Sequence, residues 1–148
     1  MSTNLLYQTL FIMETQQDYT VKNKLGEVYF SSSYDSDNDW IYNKWTGDVT
    51  VQEVIDACQA SLEYLEKFNC PRILNDNSQL SGSWDEANEW IAQNWMPRAL
   101  AAGLKKFAHI TSLDVFGALS AEELQTQAGD FEMRIFSDRA EAEAWLKE

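Results

Sequence analysis

Few side chains in this sequence are equipped for chemistry. His109 is its one histidine and the only side chain whose ordinary pKa lies near neutrality. Alone it offers a base or a single metal ligand. Asp76 is the best carboxylate candidate. It sits within Asn75-Asp76-Asn77, directly after a short apolar strand (Arg72-Ile73-Leu74) and before a helix. Strand carboxyl ends in α/β folds are where ligands and partners dock, and a nearby helix N-terminus favours an ionised carboxylate. These three polar side chains either hold a ligand or a partner's backbone, or cap a turn and satisfy free backbone groups.

A transition-metal site would need carboxylates, because there is no second histidine and neither Cys58 nor Cys70 has ligand spacing to His109. Asp35-x-Asp37-x-Asp39 imitates the start of a calcium loop. It has Trp40 where a glycine is needed and Thr46 where a glutamate should be, so it reads as a hairpin turn. No Gly-x-Ser-x-Gly, no cysteine beside a histidine and no glycine-rich phosphate loop appears. Paired acids such as Asp85-Glu86 and Glu122-Glu123 fall in first turns of helices, where they complement the macrodipole. No catalytic residue, metal or cofactor is assigned on this basis. An enzyme using Asp76 and His109 ranks last among the functional readings.

The tryptophans are the other unusual resource. Trp84, Ala87, Ile91 and Trp95 lie at i, i+3, i+7 and i+11 and share one helical face, while Trp90 points elsewhere. Such a stripe is either core, or Trp90 and Trp95 line an apolar cavity or an exposed binding patch. An exposed Trp90 patch would favour self-association, so a homodimer is among the expectations.

Composition narrows the partners. The chain has 148 residues, enough for one domain with a real core. Eleven basic against 24 acidic residues leave a formal charge of −13. So acidic a surface repels phosphate backbones and anionic headgroups, which disfavours nucleic acid and attachment to membranes through a basic face. Residues 5–13 (LLYQTLFIM) are apolar but too short to span a bilayer. With no basic leader and two cysteines that make no disulfide framework, the chain reads as cytoplasmic with buried free thiols.

The elements that must position these residues follow from periodicity. Residues 27–33 and 40–45 form a hairpin. Thr50 with Glu53 opens a helix with Val51, Val54, Ile55, Cys58, Leu62, Leu65 and Phe68 on one face, closed near Asn69 before Pro71. A short strand at 73–74 precedes a helix opened by a Ser83/Glu86 capping box, which Pro97 kinks or divides. A strand at 104–110, a short helix or turn at 112–119, a Ser120/Glu123 capping box, a strand at 131–136 and a last helix capped by Asp138 complete the chain. Gln8 to Glu14 reads as an edge strand, and Thr15 to Lys24 as loop-like. Strands separated by helices imply parallel neighbours and right-handed crossovers. The expected fold is α/β, with a mixed sheet of four to six strands and helices mainly on one face.

The segments LNDN (74–77), WDEANEW (84–90), NWMPRALAAGLKKFAHI (94–110) and SDRAEAEAWL (137–146) resemble the SpoIIAA-like family. That family is grouped with the STAS domains of anti-sigma-factor antagonists and is similar to the CRAL-TRIO lipid-binding fold. The resemblance covers roughly residues 26–148, leaving residues 1–25 as an N-terminal extension. It implies a small α/β sandwich but brings no activity with it. In STAS antagonists a serine in an Asp-Ser-Ser-Gly-like context, at the start of the helix after the third strand, is phosphorylated by a partner kinase. The matching region here is Ser78-Gln79-Leu80-Ser81-Gly82-Ser83, so the resemblance implies Ser81 or Ser83. The motif itself is missing, and Trp84 enters where small residues belong.

Two functional expectations result. The first is a non-catalytic regulatory or interaction module that presents the 75–83 loop to a protein partner, with Trp84 or Trp90 as apolar anchors and Asn75, Asp76 and Asn77 setting specificity. The second is a carrier of a small apolar ligand or lipid, held between sheet and helices and gated by the Pro97 bend.

Overall fold

The computed structural model describes residues 18–148. Six strands form one mixed sheet in simple sequential order. These are β1 (Tyr19–Lys22), β2 (Val28–Asp35), β3 (Trp40–Asp48), β4 (Arg72–Ser81), β5 (Lys106–Ile110) and β6 (Glu132–Phe136). β1, β2 and β3 are antiparallel neighbours, and β3 through β6 are parallel.

Each parallel step is bridged by helical chain. α1 (Val51–Phe68) joins β3 to β4, and α3 (Val115–Gln125) joins β5 to β6. Between β4 and β5 runs a composite segment, α2 (residues 85–101). It comprises a 3₁₀ turn Asp85–Ala87, one α turn Asn88–Trp90, a π-helical stretch Ile91–Trp95 and a terminal α-helix Met96–Ala101. Sequential strand order with crossovers of one hand puts α1, α2 and α3 on the same face. Their side chains share one core with Phe30, Ile41, Trp45, Ile73 and Phe107 of the sheet. α4 (Arg139–Lys147) covers the other face, where Ala142, Trp145 and Leu146 pack on Trp40, Leu74, Ala108 and Ile110.

Local signals explain most boundaries. Thr50 and Glu53 make the reciprocal box that opens α1, and Asn69 ends it in the left-handed conformation before Pro71. Asp138 accepts from the Ala140 amide and opens α4. Pro97 lies in the first turn of the terminal α-helix of α2, and the turn before it is π-helical. Proline has no amide to give the carbonyl four residues back, and a widened turn is one way a helix absorbs such a defect.

Four expectations are corrected. β4 does not stop at Leu74: it runs ten residues and takes in Asn75, Asp76 and Asn77. Pairing on both sides, to β3 and β5, outweighs their poor strand propensity. The Ser83/Glu86 box does not form; Ser83 instead donates its hydroxyl to Asp85, and α2 begins without a side-chain cap. Ser120 opens no helix: Asp114 caps α3, and Ser120 sits inside it, bonded back to the Phe116 carbonyl. The stretch expected to be loop-like up to Lys24 contains β1, whose hydrogen bonds to β2 make it the sheet's edge. The strand expected over Gln8 to Glu14 lies outside the described residues.

Candidate functional site

The sheet aligns four polar side chains in a row across its helix-covered face. Ser32 pairs with Asn43, Asn43 with Asn75, and Asn75 with His109, one residue from each of β2 to β5. All four are buried, at 1%, 3%, 6% and 2% exposure. Polar side chains this deep must find partners or carry a desolvation cost. The Ser32 hydroxyl donates to Asn43 Oδ1 at 2.7 Å. The Trp45 indole N–H donates to Asn75 Oδ1 at 2.9 Å. Asn75 Nδ2 donates to Asn77 Oδ1 at 3.1 Å and meets His109 Nδ1 at 3.2 Å.

Asn43, Asn75 and His109 of this row form part of the wall of a cavity between the sheet and helices α1, α2 and α3, with a volume of about 60 Å³. Asn43, Asn75, Asn77, His109 and Ser61 supply its polar wall. Aromatic side chains, among them Trp84, Trp95, Phe107 and Phe131, supply much of the rest. Trp95 is itself anchored, its indole N–H donating to Ser61 Oγ at 2.9 Å. Cys58 also lines the cavity, and burial pushes its thiol up to about 12, so it stays protonated. Burial holds the His109 imidazole down to about 4, against a small opposing pull from the Asp76 charge, so the ring is neutral at pH 7.

Asp76 belongs to the opposite face. It follows the alternation of Leu74, away from Asn75 and Asn77, and accepts from Tyr42 Oη at 2.6 Å and from the Ser78 amide at 2.9 Å. Burial pushes its carboxyl up, but the bonds from Ser78 and Tyr42 and the Arg139 charge more than offset that, leaving it below the usual range. The sheet therefore stands between Asp76 and His109, and the pair makes no joint acid–base site.

Of the residues picked out from the sequence, Asn75, Asn77, Trp84, Trp95 and His109 come together around the cavity. Asp76, Trp90, Ser81 and Ser83 do not line it. Trp90 is half-buried against the main core. Pro97 is also off the cavity wall; its neighbours Trp95 and Met96 are on it. Sequence reasoning missed Asn43, Trp45 and Ser61. Asn43 left a trace, as a polar residue at the inward position between Ile41 and Trp45 in an alternating strand.

A second cluster lies outside the cavity, at the carboxyl end of the parallel strands. Ser81, the last residue of β4, and Ser83, in the turn after it, are exposed. Gly82 between them has a φ of +81°, and a Cβ there would meet Asp48 Oδ1 at 2.9 Å, so the turn requires glycine. The Gly82 amide donates to Asp114 Oδ2 at 2.9 Å, while Asp114 Oδ1 caps α3 at the Phe116 amide. Next to this tie the start of α3 exposes four apolar residues. Leu113 is 98% exposed, Val115 68%, Phe116 65% and Leu119 56%. Tryptophan drew attention in the sequence, yet Trp84 is buried, and these smaller apolar residues are among those presented to solvent.

A family model described as SpoIIAA-like matches residues 40–147, most of the chain. No curated protein and no solved structure matches it. Among the described residues no helix is long and apolar enough to cross a membrane, and no group of histidine, cysteine and acidic side chains could hold a metal ion.

Proposed function

Because the chain belongs to the SpoIIAA-like family, we propose that it is a non-catalytic regulatory module that works by binding another protein. One observation carries this reading: the exposed cluster of Leu113, Val115, Phe116 and Leu119 beside the 81–84 turn. Isolated surface leucines need no explanation, but four apolar residues within seven positions, at the carboxyl edge of a parallel sheet, form a docking patch. Apolar anchors flanked by acids favour a partner with an apolar centre and a basic rim.

Ser83 is the modification point that fits this surface best. It is exposed, and its hydroxyl already donates to Asp85. Asp48 and Asp114 lie against the same turn. A phosphate on Ser83 would replace a donor with about −1.5 to −2 charges among carboxylates. It would push the turn off Asp114 and release the docking face. Phosphorylation here therefore acts as a release signal.

The lipid-carrier alternative has less support from the cavity between sheet and helices. A cavity of about 60 Å³ is well below the several hundred that enclose a drug-sized or larger ligand.

The test is affinity capture from the chain's own cells, comparing the natural protein with Phe116→Asp and Leu119→Asp. A protein captured by the natural chain and lost from both folded variants supports the reading. A protein retained by both variants moves the docking surface elsewhere and overturns it.

A further inference from the structure

Among the described residues three buried side-chain atoms have no hydrogen-bond partner: Trp84 Nε1, His109 Nε2 and Asn88 Oδ1. Two of these residues, Trp84 and His109, line the cavity, and Asn88 does not. Indole nitrogen is a donor only. The imidazole nitrogen is also a donor here, and the polar row decides it. The Trp45 N–H can only donate, so the Asn75 atom facing it at 2.9 Å is the oxygen. The Asn75 amide group therefore turns its NH₂ toward His109 Nδ1 at 3.2 Å. Nδ1 must accept, which places the proton of the neutral ring on Nε2. The depressed pKa of the ring agrees with this, since a doubly protonated ring would meet the Asn75 NH₂ donor to donor.

Trp84 and His109 both line the cavity and each carries a buried, unpaired N–H, with ring centroids 5.9 Å apart. Neither can serve the other, because both donate. Each unpaired donor carries the full cost of its desolvation. Two N–H···O bonds of about 2.9 Å to one oxygen, directed roughly 120° apart along its lone pairs, reach nitrogens about 5 Å apart. A carbonyl oxygen, with two lone pairs, fits that requirement. Among the described residues no lysine, arginine, aspartate or glutamate lines the cavity, and most of its wall is apolar. A carboxylate would be buried there with no cation beside it, so a charged ligand is disfavoured.

From this geometry we infer that the cavity is a binding site for a small neutral carbonyl compound with an apolar body, whose oxygen accepts from both His109 Nε2–H and Trp84 Nε1–H. The volume, about 60 Å³, sets the body at a few carbon atoms, below the ~150 Å³ of an engineered cavity that takes benzene. The site is separate from the docking patch and does not rest on that reading. The backbone amide of Trp84 bonds Ser120 Oγ of α3 at 3.3 Å, so occupancy would nevertheless be felt at the helix that carries the patch.

The experiment is ¹H–¹⁵N NMR on the full chain, titrated separately with acetone and with isobutene, in which a methylene replaces the carbonyl oxygen. The imidazole correlations should first show the Nε2–H tautomer. Acetone should then shift the His109 Nε2–H and Trp84 indole N–H signals together, and bind about tenfold more tightly than isobutene, as expected for two neutral hydrogen bonds. Trp84→Phe should shrink that preference while leaving isobutene binding in place. An Nδ1–H tautomer, equal affinity for the two probes, or two N–H signals that acetone leaves unmoved would each overturn the inference. The last result would leave the donors to bound water alone.

Discussion

Asp114 holds two separate pieces of backbone with its two carboxylate oxygens. Oδ2 accepts from Gly82 at 2.9 Å, 32 residues away, and Oδ1 accepts from Phe116 at 2.9 Å. One side chain therefore caps α3 and fixes the turn at Gly82, between Ser81 and Ser83. The Gly82 and Phe116 amide bonds hold its carboxyl below the usual carboxylate range. A carboxylate with a depressed folded pKa contributes order above its unfolded pKa and loses it as pH falls through the folded value. The Gly82 amide should thus stay protected from exchange at neutral pH and open only below about pH 3.8, the unperturbed value. Asp114→Ala should expose the Gly82 and Phe116 amides at pH 7, measured by hydrogen exchange, while amides in β4 and β5 keep their protection.

The apolar patch separates stability from binding. Phe116 and Leu119 are 65% and 56% exposed, so Phe116→Ser and Leu119→Ser should change unfolding free energy by less than about 0.5 kcal/mol. The same changes should weaken the partner complex at least tenfold if these are its anchors. Urea denaturation and a binding titration on the same preparations check both halves. A large loss of stability would show that the two side chains are structural.

His109 should leave a signature in the pH dependence of stability. Its folded pKa of about 4 lies below the ordinary 6.5. Between those values the unfolded chain binds a proton that the folded chain does not, so stability falls as pH drops from 6.5 toward 4. The loss is on the order of 3 kcal/mol when complete. It should disappear in His109→Gln, leaving only the carboxylate-driven decline at lower pH. Denaturant midpoints at pH 7 and pH 5 for the two proteins suffice.

Arg72 joins the β2–β3 turn to the C-terminus. Its guanidinium donates to the carbonyls of Asn38 at 2.7 Å, Asp39 at 3.2 Å and Leu146 at 3.0 Å. Arg72→Ala leaves those carbonyls without this donor and should cost about 1–3 kcal/mol. Arg72→Lys should recover little, because a single ammonium cannot reproduce the planar fork. Thermal unfolding of the three proteins would show it, and full rescue by lysine would mean that only charge matters.

Periodicity made the elements legible. The 3.6-residue spacing of α1, the alternation of Phe131, Met133 and Ile135 and the stripe of Trp84, Ala87, Ile91 and Trp95 each appear in the chain as they do in the fold. These patterns follow from burying one face of an element, which local sequence records directly. Asn75-Asp76-Asn77 was misleading for the same reason. Read locally it is a turn, because nothing nearby announces that β3 and β5 will pair with it. Ser83 and Ser120 likewise match capping boxes by spacing, while packing of the turn after β4 against α3 gives each another role.

The sequence by itself determined the α/β class, the mixed sheet, the capped helix α1 and the family to which the chain belongs. It also held the identities of the residues around the cavity, but not their meeting. Ser32, Asn43, Asn75 and His109 come from four strands spread over 78 positions (109 less 32, plus one), and only the register of the sheet puts them in one row. Register also sends Asp76 to the far face from His109 and leaves Leu113 and Phe116 in solvent beside Gly82. Long-range pairing is a property of the whole packed chain: shifting one strand by a single residue turns every side chain to the opposite face. The polar row, the neutral state of His109 and the exposure of the apolar cluster were therefore decided only by the packed sheet.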